Sequence, residues 1–442
     1  MKKYSFIYCL LISFSAFCQT ELSSWLQNTT ETGTYYMSGN PTAISNNILV
    51  NCQSVDYSND YVYVTTKGIP AYATGPFPDG NPSQAQNQNA IFKFPRNPQA
   101  NTGNLSSTTF GNIGVFINGV ALFDYRDGVA WNPNANALCG GPGNPPCPGG
   151  FANMDWNRDA IPAEMGGFDC SKGHPAMGNY HHHQNPSAFK LDQNVISNVC
   201  NLYDADGLYS IDSTKHSPIL GFAYDGFPIY GAYGYANSDG SGGVQRMESG
   251  YQLRDLSQRN QGPDVSETYS LGYFREDYEF VSQVQEHFLD QHNGRFSITP
   301  DYPDGTYVYF CTVDQNWNST YPYAIGPTFY GVYDNASVTS IIETTSNYLP
   351  DPEISLSENA SLEVLVFPNP TADLVVIQAQ GVVKEDIQLT LLDLSGKIIK
   401  QSRIRKGQTL AYFDVQTVYN GMYLVRIDYG IRIETRNVLI QR

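Results

Sequence analysis

IGVFINGVALF (residues 113–123) and LGFAYDGFPIY (residues 220–230) match position by position. Each runs aliphatic, Gly, two apolar residues, Ile or Tyr, Asn or Asp, Gly, apolar, Ala or Pro, aliphatic, aromatic. An Asn-Gly or Asp-Gly pair between apolar runs signals a two-residue hairpin turn, in which both central positions take positive φ. Asn118-Gly119 and Asp225-Gly226 therefore predict two copies of one β-hairpin. A second correspondence follows: FDCSKGH (168–174) precedes GNYHHH (178–183), and LDQHNGR (289–295) precedes GTYVYF (305–310). Both halves offer Asp, Gly, then a Gly-x-Tyr strand, with gaps that differ as loop insertions allow. The expectation is a mainly β protein whose large domain is internally duplicated with pseudo-twofold character.

Outward from these motifs, helical periodicity is scarce, and runs such as YVYVTT and GTYVYFCTV alternate with Gly/Pro/Asn/Asp turns, which reads as strands. Residues 343–361, ETTSNYLPDPEISLSENAS, are acidic and have little to bury, so they read as a linker between a β domain at 19–342 and a C-terminal unit at 362–442. The latter is long enough for one small β-sandwich. The N-terminus has Lys2 and Lys3, an apolar stretch from Tyr4 to Phe17, and small residues at Ala16 and Cys18. That is the pattern of a secretory signal peptide cleaved between Cys18 and Gln19. The bulky Phe17 argues against a lipid anchor on Cys18.

Export gives the remaining cysteines, Cys52, Cys139, Cys147, Cys170, Cys200 and Cys311, a setting for up to three disulfides. Cys139 and Cys147 flank GGPGNPP and close the shortest loop. With no CxxC pair, the cysteines do not read as a zinc-thiolate site. Charged residues are 15% of the chain, against roughly 25% in soluble domains, while Tyr occurs 32 times, so aromatic and amide packing must carry the interior. Residues 19–361 hold 13 basic and 34 acidic groups, a balance that argues against nucleic acid and suits divalent cations. No apolar run long enough to span a membrane follows the signal.

Four of the seven histidines fall within residues 174–183. On a strand, His181 and His183 share one face while Tyr180 and His182 share the other. His181 and His183 are placed to hold a metal ion, with His174 as a third ligand, whereas His182 reads as a hydrogen-bonded core residue. Imidazole suits zinc, copper, iron or nickel, with zinc or copper the leading choices, and three histidines with an open position make a catalytic geometry. If the halves meet, Asp225 and Asp290 are candidate catalytic carboxylates, and Tyr180, His292 and Arg295 candidate supporting residues. For Asp225 the turn role outweighs the chemical one, since an Asp-Gly hairpin turn asks for Asp anyway. His216 and His287 lack a spacing partner and read as surface. Two weak calcium patterns exist: Asp155, Asn157 and Asp159 with Glu164, and Asp204 with Asp206. No P-loop, G-x-S-x-G or H-E-x-x-H is present.

GHPAMGNYHHHQNP, SPILGFAYDGFPIYGAYG, LDQHNGRF and TPDYPDGTYVYF together resemble the YHYH domain of secreted bacterial proteins over residues 90–333. The eponymous Tyr-His-Tyr-His falls on Tyr180, His181, His182 and His183, and this chain departs at the third position. The family pattern LDxCNGR carries a Cys where this chain has His292, so the resemblance leaves Cys170 to pair elsewhere, with Cys200 one choice. VFPNPTADLVVI (366–377), LTLLDLSGKIIKQ (389–401) and YNGMYLVRI (419–427) resemble the sorting domain of the type IX secretion system. That resemblance implies partnership with the secretion machinery and a protein secreted from, or attached to the outer surface of, a Gram-negative bacterium. The functional expectation is a metal-dependent extracellular hydrolase or oxidase acting on an external substrate. The alternative is a non-enzymatic binding or adhesion module with structural histidines. The first predicts a concave site at the histidines; the second predicts buried histidines and an exposed aromatic patch.

Overall fold

The computed structural model describes residues 19–79, 83–150, 152–195, 197–203, 205–333, 337–349, 362–429 and 433–442. Residues 1–18, the expected signal peptide, and residues 350–361 of the expected linker lie outside them. Eight strands build the central sheet: β1 (Asn112–Phe116), β2 (Ala121–Phe123), β3 (His174–Ala176), β4 (Asn179–His182), β5 (Ile219–Ala223), β6 (Pro228–Tyr230), β7 (Gly294–Ser297) and β8 (Thr306–Phe310). Their spatial order is β3-β4-β2-β1-β5-β6-β8-β7, so the second half repeats the first in reverse across the sheet.

The register makes the duplication concrete. β1 and β5 pair antiparallel at the centre, with Val115 opposite Phe222, Gly114 opposite Ala223 and Phe116 opposite Gly221. In the alignment of the two motifs Val115 corresponds to Phe222, so each faces its own counterpart, as a local twofold axis requires. Outward, β2 runs parallel to β4, with His182 beside Leu122, and β6 runs parallel to β8, with Tyr309 beside Ile229. At the two edges His174 lies opposite His181 and Arg295 opposite Val308.

The hairpins form, but their turns differ from the expected two-residue type. Only the glycines take positive φ, Gly119 at 76° and Gly226 at 89°. The Gly119 amide donates to the Phe116 carbonyl and the Phe116 amide to that of Val120; Gly226 to Ala223 and Ala223 to Phe227 repeat the pattern. These are three-residue loops, a type I turn closed by a left-handed residue, and Asn or Asp before Gly suits them as well as the shorter turn. A Cβ on Gly119 would stand 2.2 Å from Thr66 Oγ1, so the position is closed to side chains twice over.

A second sheet, assembled from Cys52–Tyr57, Tyr61–Thr66 and Ala90–Pro95 with short edge strands Ser337–Val338 and Ser346–Asn347, packs against the first. Val55, Val62, Val64, Phe92 and Phe94 join Val115, Phe222, Ile229 and Val308 in one core. The expected start of the linker is thus corrected: Ser346 and Asn347 pair with Tyr57 and Asp56, and the Tyr348 amide donates to the Val55 carbonyl. Acidic, Ser-rich residues fit there because an edge strand leaves one side in water.

Residues 362–442 form the expected β-sandwich. A three-stranded sheet (Val364–Phe367, Leu374–Ala379, Leu410–Asp414) faces a four-stranded one (Ile387–Asp393, Ile398–Ile404, Gly421–Asp428, Ile433–Ile440) around Val375, Ile377, Leu389, Leu391, Val425 and Val438. Two disulfides are present, Cys139–Cys147 and Cys170–Cys200, whereas Cys52 and Cys311 are free and buried, so the third bridge is not made. His216 also departs from its surface reading: its ring packs 5.1 Å from that of Tyr230 and 4.9 Å from that of Tyr235. His287 is half-buried against Phe288.

Candidate metal centre

The site grows from the hairpin β3–β4. One buried clasp holds it: the Asp169 carboxylate accepts from the amides of Gly75, Ser171 and Gly173 and from the Tyr180 hydroxyl at 2.9 Å. Lys172 takes φ of 63° to make the turn that delivers His174 into β3. Tyr180 therefore supports the site from the opposite face of β4, by fixing the loop that carries His174 rather than by touching the imidazoles. His182 shares that face, its Nε2 2.8 Å from the Tyr72 hydroxyl and its Nδ1 3.0 Å from the Lys172 carbonyl. It is a satisfied core residue, and burial drives its pKa down to about 3.

On the other face, His174, His181 and His183 converge, with one ligand nitrogen from each lying within 4.8 Å of the others. His181 Nδ1 is 2.8 Å from the Asn179 carbonyl and His183 Nδ1 2.7 Å from the Asp124 carbonyl. A carbonyl only accepts, so both Nδ1 atoms carry the proton and both neutral rings present a bare Nε2. Those two Nε2 atoms stand 3.1 Å apart. Two lone pairs at that distance repel unless a proton or a cation lies between them.

A fourth group completes the arrangement. Helix α1 (Ala160–Glu164) is N-capped by Asp159, whose carboxylate accepts from the Ile161 amide, and its last residue points into the cluster. Glu164 Oε2 is 3.2 Å from His174 Nε2 and 3.3 Å from His183 Nε2. Oε2 and His174 Nε2 are buried atoms that make no aligned hydrogen bond, although they lie 3.2 Å apart. Burial alone would raise the Glu164 carboxyl, but His174 and His183 hold it well below the usual carboxylate range. Burial and the neighbouring rings push His181 well down, whereas Glu164 outweighs burial and raises His183. Phe123 stacks on His181 at 3.7 Å between centroids and Phe168 stands edge-on to His174 at 4.9 Å, walling the site with rings. The imidazoles are buried, as is the Glu164 Oε2 that faces them, while the Glu164 side chain as a whole is 26% exposed.

The second half does not complete this centre, contrary to expectation. Asp225 accepts from the Tyr309 hydroxyl at 2.6 Å and the Gly331 amide at 2.8 Å. Asp290 accepts from the amides of His292 and Gly294 and from the Tyr307 hydroxyl, repeating three of the four donors of the Asp169 clasp and lacking only the counterpart of the Gly75 amide. His292 is bound to Thr328, and the Arg295 guanidinium donates to the carbonyls of Tyr235, Ala236 and Glu286. β4 and β8 are separated by four other strands, and neighbouring strands lie about 4.8 Å apart, so the twofold axis that relates the halves also keeps their edges apart. Of the calcium patterns, Asn157 bonds to Met154 and Glu276, Asp159 caps a helix, and Asp204 lies outside the described residues. Glu164 was visible only as the tail of that pattern; nothing in its ten-residue distance from His174 announces a ligand.

A family model described as YHYH protein matches residues 91–322, more than half of the chain, and one described as a secretion system C-terminal sorting domain matches residues 365–441. No curated protein matches. The sorting domain marks type IX secretion, so the protein is secreted or attached to the outer cell surface. No helix among the described residues is long and apolar enough to cross a membrane. The twofold sheet with its histidine-bearing edge is thus the setting of the Tyr-His-x-His motif, and the chain belongs to the YHYH protein family, with a secretion sorting domain at its C-terminal end.

Proposed function

We propose that the protein is an extracellular metalloprotein whose transition metal is held by His174, His181, His183 and Glu164, and that it is an enzyme acting through that metal. One observation carries the reading: three imidazole nitrogens and a carboxylate oxygen converge, with two of the rings pinned by backbone carbonyls in the tautomer that leaves Nε2 free. Backbone acceptors behind ligand histidines are the usual way a site fixes tautomer and orientation. A nitrogen-rich set with one carboxylate suits zinc or copper, zinc supplying Lewis-acid hydrolysis and copper supplying oxidation. In either case the chain's own residues orient the imidazoles, exclude water with Phe123 and Phe168, and admit a small substrate group past Glu164.

A non-enzymatic binding module is the second reading, favoured by the burial of all three imidazoles. In that case one proton on His183, shared with Glu164, replaces the cation. Elemental analysis of the mature protein purified without chelators separates the two. The metal reading expects one transition metal per chain, lost in the His181→Ala/His183→Ala variant. No stoichiometric metal, and none taken up from added zinc or copper, would refute it.

A further inference from the structure

The sorting domain has two outward sheet faces, and both carry apolar side chains where a free-standing sandwich alternates to polar ones. On the three-stranded side the reason is visible. Along Leu374–Ala379, Val375 and Ile377 point into the sandwich core, so Val376 points out. Val376 and Leu410 pack against Ala188 and Leu191 of the β domain. Beside them Thr409 Oγ1 donates to the Leu208 carbonyl at 2.6 Å, and the Lys190 ammonium lies 4.4 Å from the centre of the Tyr412 ring. The β domain covers that face.

The four-stranded side differs. Leu391 and Val425 face each other inside the core, so the next pair along, Leu392 opposite Leu424, lies outside. Leu392 also faces Ile398, and in the adjoining row Met422 faces Leu439. Two rows thus set five apolar side chains on one outward face. Ile398 is 55% exposed and Met422 43%, the three leucines are half-buried, and none of the five joins a buried cluster among the described residues. The exposed Leu394 follows Asp393, which faces Tyr423, and so adds to the same end of the sheet. Beyond the patch the next outward row is polar: Gln401, Thr390, Arg426 and Thr435. An apolar patch with a polar border marks an interaction site.

We propose that this face is where a protein of the secretion machinery recognises the sorting domain, laying an apolar surface of its own across the two rows. The family match assigns the domain to secretion, and the β domain already occupies the other sheet, so a folded chain presents only this one. A protein fits better than a lipid surface, because burying the polar row in hydrocarbon would strip its groups of water without giving them partners. The inference does not depend on the metal reading.

The test follows the full chain, signal sequence included, in a bacterium that has a type IX system. Ile398→Asp/Met422→Asp puts two carboxylates into the patch at exposed positions. The amount reaching the medium and outer surface should fall at least tenfold, with the protein accumulating inside the cell. Gln401→Asp/Thr435→Asp, exposed on the same face but in the polar row, should be exported as the wild type is. Unchanged thermal unfolding of the purified variants separates recognition from folding. A second measurement needs no disruptive variant: a photoreactive phenylalanine analogue at position 422 in living cells should link to a membrane protein of the secretion system, identified by mass spectrometry. The same probe at position 284, exposed on the β domain, should not. A folded Ile398→Asp/Met422→Asp protein exported at the wild-type level overturns the proposal. So does a probe at 422 that links only to lipid, to a second copy of the chain, or to nothing.

Discussion

The two halves of the central sheet share a frame and differ in what they display on it. The positions of His174, His181 and His183 in the first half are those of Arg295, Val308 and Phe310 in the second, by strand register as well as by motif. The supporting clasp, by contrast, is kept: Asp169 with Tyr180 on one side, Asp290 with Tyr307 on the other. What is common to both edges is therefore scaffold, and on the proposed reading what is confined to one edge is chemistry. The first Tyr of the family motif belongs to the scaffold, and its two outer-face histidines belong to the proposed site.

The largest effect is expected from making the first half resemble the second. His174→Arg/His181→Val/His183→Phe should abolish metal uptake while the protein stays folded, since the same backbone already accepts those residues; isothermal titration with the metal and circular dichroism check both parts. Glu164→Gln, with no counterpart among the duplicated motifs, should weaken metal affinity by about 100-fold, the upper end of what even outer-shell partners contribute. An unchanged affinity would place Glu164 outside the ligand set.

The clasp gives a paired comparison. Asp169→Ala and Asp290→Ala each orphan several buried donors at roughly 1–3 kcal/mol apiece, so each should cost about 3 kcal/mol or more in chemical denaturation. Only Asp169→Ala should also lower metal affinity, because only that clasp places a ligand. Acid should also weaken metal binding. Imidazoles must be neutral to bind, with an ordinary pKa of about 6.5, so apparent affinity is highest above that value and falls as pH drops. Glu164 favours the charged form of His183, so metal binding should displace protons from that ring, increasingly as pH falls, which calorimetry in buffers of different ionisation enthalpy would read. The smallest effects belong to Tyr180→Phe and Tyr307→Phe, each removing one hydroxyl bond worth about 1 kcal/mol.

Much of this frame was legible in the residues. The Asn-Gly and Asp-Gly hairpins announced the duplication because few sequences satisfy a left-handed residue between apolar strands, and the alternation of side chains along Asn179–His182 split the histidine run correctly. The turn type was not legible, since Asn or Asp before Gly serves two loop lengths alike. Nor was the absence of Asp225 and Asp290 from the site: two-residue periodicity gives faces of a strand but not how far apart two edges of a sheet end up. Glu164 escaped because a five-residue helix inside an irregular insertion has no period to read, and the carbonyls of Asn179 and Asp124 that set the tautomers belong to the backbone, where residue identity carries little information.

The central claim is that one edge of a symmetric sheet holds a metal and the other does not. Crystals of the mature protein soaked with zinc or copper, measured at the absorption edge of that metal, test it directly. The account predicts one anomalous peak about 2.0–2.2 Å from the ligand nitrogens of His174, His181 and His183 and from Glu164, and none beside Arg295, Val308 and Phe310. No peak at the histidines, with His183 hydrogen-bonded to Glu164 in its place, would contradict it.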